Sequence, residues 1–132
     1  MTGTSQPTIL LVEDEPLVRM VAADFLDLAG FSVEPTATAA EALGRLGRDP
    51  GQFDAAVVDL GLPDRRGDSL AQEMRELSPA LPILIASGFV DPETRSRFAA
   101  DQKTGFIAKP FSGSQVVDAL RRLGVQVPAD GA

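Results

Sequence analysis

The sequence predicts an α/β fold in which a doubly wound, five-stranded parallel sheet carries five helices. Three observations predict it: five apolar runs have the length of strands, segments of helical periodicity separate them, and most runs lack the alternation of a half-exposed strand. This alternation of elements favours a parallel sheet with helices on both faces, and right-handed crossovers limit its topology. The predicted strands are residues 8–12, 31–34, 53–58, 82–86 and 105–108.

The first three helices are predicted from apolar spacing and their end signals. Gly30 follows the first as a C-terminal stop, Thr38 can cap the second, and the turn at Gly67 and Asp68 precedes the third. Spacings of three and four predict that the first helix is amphipathic. The recurring apolar residues are Leu17, Val21, Phe25 and Leu28 in the first helix, Ala39, Leu43 and Leu46 in the second, and Leu70, Met74 and Leu77 in the third.

Caps also delimit the last two predicted helices. Asp91 places an acceptor at a helix cap and Pro92 occupies the first helical position, so residues 91–101 are predicted as the fourth helix. The fifth is predicted over residues 112–123, before Gly124 ends it. Its predicted inward-facing residues are Val116, Val117, Leu120 and Leu123.

Length and composition bound the chemistry. At 132 residues and 44% hydrophobic content, the sequence predicts one globular domain over residues 8–124, between a short N-terminal extension (1–7) and a C-terminal tail (125–132). Cysteine and histidine are both absent, which excludes disulfides, thiolate or imidazole metal ligands and Ser-His-Asp triads. Carboxylates, hydroxyls, lysine and arginine must therefore carry any chemistry.

Charge and hydropathy indicate whether the chain binds nucleic acid, crosses a membrane or is exported. A formal charge of −7 without a basic run argues against direct binding to nucleic acid. No apolar run approaches the about 20 residues that cross a bilayer, and residues 1–8 lack the basic and apolar parts of a signal peptide. We expect a cytoplasmic protein that does not bind membranes.

Polar side chains stand at the ends of four of the five predicted strands. Glu13 and Asp14 follow the first strand, Asp59 the third, Ser87 the fourth and Lys109 the fifth. In doubly wound sheets, ligands bind beyond the carboxyl ends of the strands, near the point where strand order reverses. With the order 2-1-3-4-5, the first and third strands are neighbours, so their acidic side chains should converge.

Converging carboxylates repel one another and favour a bound cation. Mg²⁺ prefers oxygen ligands in octahedral geometry and suits one or two carboxylates together with phosphate oxygens. Taken alone, each of these residues favours an ordinary solvated surface position, but acids, a hydroxyl and an ammonium at successive strand ends together favour a single site. The sequence therefore predicts a magnesium site at this edge of the sheet.

Four segments at these positions closely resemble the receiver domains of bacterial two-component response regulators. The resemblance covers residues 9–123. Residues 10–15 (LLVEDE) resemble the first strand and its acidic pair, and residues 57–63 (VVDLGLP) resemble the phosphoacceptor strand with its loop. Residues 86–88 (ASG) and 106–111 (FIAKPF) resemble the ends of the fourth and fifth strands.

The resemblance implies a flavodoxin-like fold and a site that accepts a phosphoryl group. Asp59 would be the nucleophile, with Lys109 and Mg²⁺, or Mn²⁺ in its place, neutralising the phosphoryl oxygens. The metal ligands would be Asp14, Asp59 and the backbone carbonyl of Gly61, with Glu13 acting through a metal-bound water. The implied activity is Mg²⁺-dependent self-phosphorylation from a donor and slow autodephosphorylation, rather than conventional enzymatic turnover.

The resemblance also implies a conformational switch. Ser87 would donate its hydroxyl to the phosphoryl group and draw in the loop after the fourth strand, and Phe106 would rotate toward the core. A phosphoryl group adds nearly two negative charges, which is enough to bias such a two-state element. The Lys109–Pro110 peptide would be cis, which would aim Lys109 at the site.

Residues 85–89 (IASGF) resemble a receiver subgroup that has an Ala-Thr-Gly-aromatic turn after the fourth strand, here with Ser in place of Thr. Gly88, Phe89 and Pro110 would border the site. Gly61 and Phe89 would flank the route of an attacking water, which Gly61 leaves open on its side.

The resemblance implies a histidine kinase or a histidine phosphotransfer protein as donor and another protein as downstream target. Because the 132 residues hold no output domain, we expect a stand-alone regulator, with a piece of a larger hybrid kinase or regulator as the alternative. Arg65 and Arg66 stand where the family has smaller or acidic residues, which indicates either a distinct donor or partner preference or a solvated loop.

Three other functions fit the residues less well. A receiver-like interaction module that acts without phosphorylation would not need the complete set of Asp14, Asp59, Ser87 and Lys109. A hydrolase with an aspartyl nucleophile would have a second acid where Gly61 stands. A flavin or dinucleotide module would need a phosphate-cradling loop after the first strand, where this chain has three acids that repel phosphate.

Overall fold

The computed structural model describes residues 6–128 as five strands and five helices in alternation. The strands are β1 (Thr8–Val12), β2 (Ser32–Thr36), β3 (Ala55–Asp59), β4 (Ile83–Ser87) and β5 (Thr104–Ala108). The helices are α1 (Pro16–Leu28), α2 (Ala39–Arg48), α3 (Gly67–Leu77), α4 (Pro92–Arg97) and α5 (Gly113–Arg122), with a 3₁₀ turn at Pro50–Gln52 before β3. Residues 1–5 of the predicted extension and 129–132 of the predicted tail lie outside the described residues.

The five strands form one parallel sheet in the order β2-β1-β3-β4-β5, which confirms the predicted topology. Val12, the last residue of β1, pairs with Val58, so β3 ends one residue further along, at Asp59. Asp59 lies opposite Ala86, so β4 ends one residue further along. The residues that follow these strands therefore meet at one edge of the sheet, which we call the carboxyl edge.

The sheet is buried on both faces, and successive residues of β1 contribute to two apolar layers. Ile9 and Leu11 face α1 and α5, whereas Leu10 and Val12 face α2 and α3, and all four are at most 2% exposed. This double burial explains why the strands appear in the sequence as continuous apolar runs. Leu26, Phe31, Val116 and Leu120 belong to the first layer, and Leu46, Leu70, Met74 and Phe98 to the second.

Some element bounds differ from those predicted. β2 continues through Pro35, which an edge strand tolerates because its missing N–H needs no partner on the open side. The 3₁₀ turn delays β3, which begins at Ala55 rather than at Phe53. α4 ends at Arg97 rather than near residue 101, because Phe98 turns into the core and its N–H bonds back to the carbonyl of Arg95.

The apolar stripe that predicted α1 is not the face that the helix buries. Leu17 and Leu28 are 70% and 84% exposed, whereas Ala22 and Leu26 are buried. Ala22 follows Val21 by one residue, which is about 100° around a helix, so the buried face is rotated away from the predicted stripe. The small side chain of Ala22 gives little apolar signal in the sequence, although it lies against the sheet.

The other helices largely follow their predicted faces and caps. Thr38, Asp91 and Ser112 each accept a hydrogen bond from the first turn of the helix they precede. In α5, the predicted inward residues are buried or half-buried, but in α3 Leu77 is exposed at the last turn. Val125 is buried beside α5. Within residues 6–128, no helix has the length and apolarity that crossing a membrane requires.

Candidate functional site

Three acidic side chains converge at the carboxyl edge. Glu13 and Asp14 follow β1, and Asp59 is the last residue of the neighbouring β3. One carboxylate oxygen from each lies within 4.8 Å of the other two. Glu13 and Asp59 are buried and Asp14 is half-buried, so water screens their mutual repulsion poorly. The structure thus brings together the three acids that the sequence predicted to converge.

Lys109 reaches this cluster from the end of β5. Its Nζ donates to Oε1 of Glu13 and to Oδ1 of Asp59, both at 2.9 Å. Burial lowers the pKa of Lys109, but the hydrogen bonds and negative charges of Asp59 and Glu13 outweigh it, so the pKa lies above the ordinary value for lysine. The ammonium is therefore charged at neutral pH and links β1, β3 and β5.

The cluster keeps oxygen atoms and negative charge that suit a divalent cation. Three carboxylates surround one ammonium, which leaves two negative charges uncompensated. Oε2 of Glu13 accepts from the N–H of Glu15 at 3.1 Å, so both oxygens of Glu13 are engaged. Oδ2 of Asp59 instead faces Gly61, where an added Cβ would lie 3.9 Å away. A hard cation with oxygen preference, such as Mg²⁺, fits this donor set.

The loop from β3 to α3 is fixed at two points beside Asp59. Gly67 approaches the end of β3 so closely that a Cβ there would lie 2.2 Å from the carbonyl oxygen of Asp59. Asp64 accepts from the N–H groups of Ala39 and Ala40 at 3.0 and 3.1 Å, which ties the loop to the start of α2. These backbone hydrogen bonds hold the pKa of Asp64 below its ordinary value. The sequence gives no signal of this role of Asp64, because its partners are 24 and 25 residues away.

Ser87 stands at the end of β4 but does not join the cluster. Its Oγ donates to the carbonyl oxygen of Phe89 at 2.8 Å and accepts from the N–H of the same residue at 3.2 Å. Gly88 and Phe89 are exposed, with 75% of Phe89 open to solvent. The hydroxyl is therefore satisfied within its own turn.

Phe106 lies half-buried in β5 between two groups from α4 and its end. Its ring packs edge-on against that of Phe98, with the centroids 6.0 Å apart. The guanidinium of Arg95 lies over the ring of Phe106, 5.2 Å from its centroid. Phe106 is thus neither free in solvent nor fully enclosed in the core.

The two arginines of the β3–α3 loop pair with acids of α3. Arg65 pairs with Glu73, and Arg66 pairs with Asp68 at 3.1 Å. Asp68 is 1% exposed and also accepts from Arg97 of α4 at 2.7 Å. The burial of Asp68 could not be predicted from the sequence, since acids are common in the exposed first turn of a helix. Only the packing reveals that it joins α3 to α4.

An apolar groove adjoins the cluster on the side of α1. The Lys109–Pro110 peptide is cis, as predicted, and Pro110 and Phe111 form one wall. The groove has a volume of about 480 Å³. Its other wall is formed by Leu17, Val18, Val21, Ala22 and Phe25. The exposed stripe of α1 is thus continuous with the site through Lys109.

Comparison with known proteins gives a consistent result. The model of the response regulator receiver domain matches residues 9–121. The chain is 34% identical over 116 residues to the sensor kinase CckA of Brucella abortus, which covers 88% of this chain and 12% of the kinase. It is 32% identical over 115 residues to the two-component response regulator PhoP of Pseudomonas aeruginosa, which covers 87% of this chain and 50% of the regulator. The chain thus spans half or less of these curated relatives.

Solved structures with the same fold are similar over most of the chain. The chemotaxis protein CheY4 of Vibrio cholerae aligns with a TM-score of 0.81 at 26% identity, over 90% of this chain and 99% of that one. A response regulator receiver protein of Sinorhizobium medicae aligns with a TM-score of 0.80 at 29% identity, over 90% of this chain and 94% of that one.

Proposed function

The chain belongs to the response regulator receiver domain family, and on that premise we propose that Asp59 accepts a phosphoryl group from a phosphohistidine of a partner protein. The proposal rests on the surroundings of the Asp59 carboxylate. It is buried at the end of β3, with one oxygen held by Lys109 and the other beside Gly61, which has no side chain to block access.

Mg²⁺ is the proposed cofactor of this site. Asp14, Asp59 and the backbone carbonyl of Gly61 would hold it, and Glu13 would act through one of its waters. The two uncompensated charges of the cluster and the two engaged oxygens of Glu13 support this division of roles. When bound, Mg²⁺ supplies positive charge that stabilises the oxygens of the transferring phosphoryl group. Mn²⁺ accepts the same carboxylate and water ligands and would substitute for it.

Asp59 acts as the nucleophile of the transfer. One of its carboxylate oxygens forms a bond to phosphorus while the bond from phosphorus to the imidazole nitrogen of the donor breaks, and that electron pair stays with the imidazole. Lys109 fixes the carboxylate through Oδ1 and adds positive charge where the phosphoryl oxygens arrive. The product is an acyl phosphate on Asp59, which water later hydrolyses.

The proposed conformational switch requires the hydrogen bonds of Ser87 to change. Ser87 has to leave its turn with Phe89 before its hydroxyl can donate to a phosphoryl oxygen. That movement would displace the exposed loop that precedes α4. Because Arg95 of α4 lies over the ring of Phe106, a shift of this loop would also change the surroundings of Phe106. The signal would then pass to a downstream protein through the changed surface of α4 and β5.

The apolar groove beside Lys109 is the proposed docking surface of the phosphodonor protein. A donor must bring its phosphohistidine to Asp59, so it has to contact the surface that surrounds the site. The groove begins at Lys109 and extends along α1, where Leu17 is 70% exposed. Exposed apolar surface of this kind marks protein interfaces. A histidine kinase or a histidine phosphotransfer protein would occupy it during transfer.

The test is intact mass after incubation with acetyl phosphate or phosphoramidate, with and without Mg²⁺. We expect one phosphoryl adduct that requires Mg²⁺ and is lost in Asp59→Asn. The matched control Asp24→Asn, which changes an exposed acid of α1, should retain it. An adduct that survives in Asp59→Asn would assign the phosphoacceptor elsewhere. No adduct with these donors or with a phosphorylated phosphotransfer protein would favour an interaction module that acts without phosphorylation.

A further inference from the structure

Arg19 of α1 holds the backbone of the loop that carries two of the three clustered acids. Its Nη1 donates to the carbonyl oxygen of Glu13 at 2.9 Å and reaches that of Asp14 at 3.4 Å. Arg19 is half-buried against this loop, in contrast to its exposed neighbours Val18 and Met20. One guanidinium therefore fixes two consecutive peptide units between the end of β1 and the start of α1.

Asp14 depends on this backbone more than the other two acids do. Lys109 and the N–H of Glu15 hold the carboxylate of Glu13, and Lys109 holds that of Asp59. Within residues 6–128, the carboxylate of Asp14 has no hydrogen-bond partner of its own. The position of that carboxylate is therefore set by the loop, and Arg19 holds the loop.

We propose that Arg19 is a positioning residue for the cation site, acting through the peptide units of Glu13 and Asp14 to aim Asp14 at the cluster. The inference rests on the proposed function, in which Asp14 is a metal ligand. Groups that orient metal ligands typically change metal affinity by about tenfold or more when they are removed.

Electrostatics alone predicts the opposite sign, which makes the inference testable. A guanidinium near a divalent cation site repels the cation, so its removal would tighten Mg²⁺ binding if charge were its only contribution. If positioning dominates, its removal weakens Mg²⁺ binding although a positive charge is lost. The direction of the change therefore separates the two roles.

The experiment measures the dissociation constant of Mg²⁺ from the shifts of backbone amides in NMR spectra, since the chain has no Trp or Tyr to report by fluorescence. The variants are Arg19→Met, Arg19→Lys and the control Arg122→Met, which removes the same charge from an exposed position of α5. We expect Arg19→Met to weaken binding by about tenfold. Arg19→Lys keeps the charge and one donor and should be intermediate, and Arg122→Met should bind as the wild type does.

The outcomes separate this inference from the proposed function. A wild-type chain that does not bind Mg²⁺ contradicts both. A wild-type chain that binds Mg²⁺, with Arg19→Met binding as tightly or more tightly, contradicts the positioning role alone. Circular dichroism and the midpoint of urea unfolding, compared with those of Arg122→Met, show whether each variant is folded. If Arg19→Met does not fold, Arg19→Lys decides, and affinity equal to or above wild type in that variant overturns the inference.

Discussion

The carboxyl edge of the sheet has two halves that are held in different ways. The acidic half comprises Glu13, Asp14, Asp59 and Lys109, and the switch half comprises residues 87–97 and Phe106. In the acidic half, Lys109 bonds two carboxylates that come from different strands. In the switch half, the hydroxyl of Ser87 bonds only within its own turn, and Phe89 is 75% exposed.

The acidic half can support the proposed reaction without moving, whereas the switch half must move for the signal to form. Charged groups that are already in place cost no reorganisation when the phosphoryl group arrives, so the acidic half suits catalysis as it stands. A switch needs a second arrangement of similar free energy, and weakly held loops supply it. α4 has only six residues, and its arginines contact the rest of the fold: Arg97 bonds to Asp68 and Gln72 of α3, and Arg95 lies over the ring of Phe106.

The largest effect is expected from Gly67→Ala, which would displace the backbone of Asp59 in the acidic half. The added Cβ would lie 2.2 Å from the carbonyl oxygen of Asp59, so the end of β3 or the start of α3 must shift. We expect a loss of about 3 kcal/mol in the free energy of unfolding, measured with urea by circular dichroism. Gly47→Ala is the control, since a Cβ there meets nothing within 4 Å in α2. That variant should gain about 0.5–1 kcal/mol, and equal losses in both would contradict the close approach.

Lys109→Met tests whether the charge of Lys109 promotes phosphoryl transfer to Asp59. Losing the charge that contacts Asp59 should slow phosphorylation by acetyl phosphate about a hundredfold, as is typical when one stabilising donor is removed. Mg²⁺ should bind on the order of tenfold more tightly, because the competing cation is gone. Rates come from intact mass against time at saturating Mg²⁺. An unchanged rate would show that Lys109 only holds the fold together.

Asp101→Asn tests the segment that joins α4 to β5, where Asp101 accepts hydrogen bonds from Arg75 of α3 and Thr104 of β5. Burial raises the pKa of Asp101, but hydrogen bonds from Thr104 and Lys103 and the charge of Arg75 outweigh it, so the pKa lies below its ordinary value. The wild type should therefore exceed the variant in stability by about 1 kcal/mol above the unfolded pKa of about 3.9. The difference should disappear as the pH falls through the folded pKa, as followed by urea unfolding between pH 7 and 3. A difference that does not shrink at all as the pH falls below about 4 would exclude ionisation of Asp101 as its source.

The smallest effect on stability is expected from Ser87→Ala. Its hydroxyl bonds only to Phe89 in an exposed turn, so the free energy of unfolding should change by less than about 0.5 kcal/mol. Phosphorylation of Asp59 should persist, whereas the accompanying change in the amide signal of Phe106 should be lost. A variant that keeps this change would remove Ser87 from the coupling.

The sequence predicted the sheet and the acidic cluster because both follow from local signals. Buried parallel strands are continuous apolar runs, and a parallel sheet brings their carboxyl ends to one edge. Asp59 and Lys109 could therefore be placed together although they are 50 residues apart. Strand order alone was enough to predict this meeting, without knowing how the side chains pack.

The sequence could not predict features that depend on packing. The buried face of α1 uses Ala22, whose small side chain gives a weaker signal than the exposed Leu17 and Leu28. The hydrogen bonds of Arg19 and Asp64 are made with backbone atoms, which any residue supplies, so these contacts leave no pattern in the sequence.

The most direct test of this account follows backbone amides by NMR while Mg²⁺ and then acetyl phosphate are added. Mg²⁺ alone should shift the amides of residues 13–15 and 59–61 and leave the switch half unchanged. Acetyl phosphate should then shift residues 87–91 and 106, and Asp59→Asn should show no response to this second addition. A switch half that responds fully to Mg²⁺ alone, or a donor response that survives in Asp59→Asn, would contradict the account.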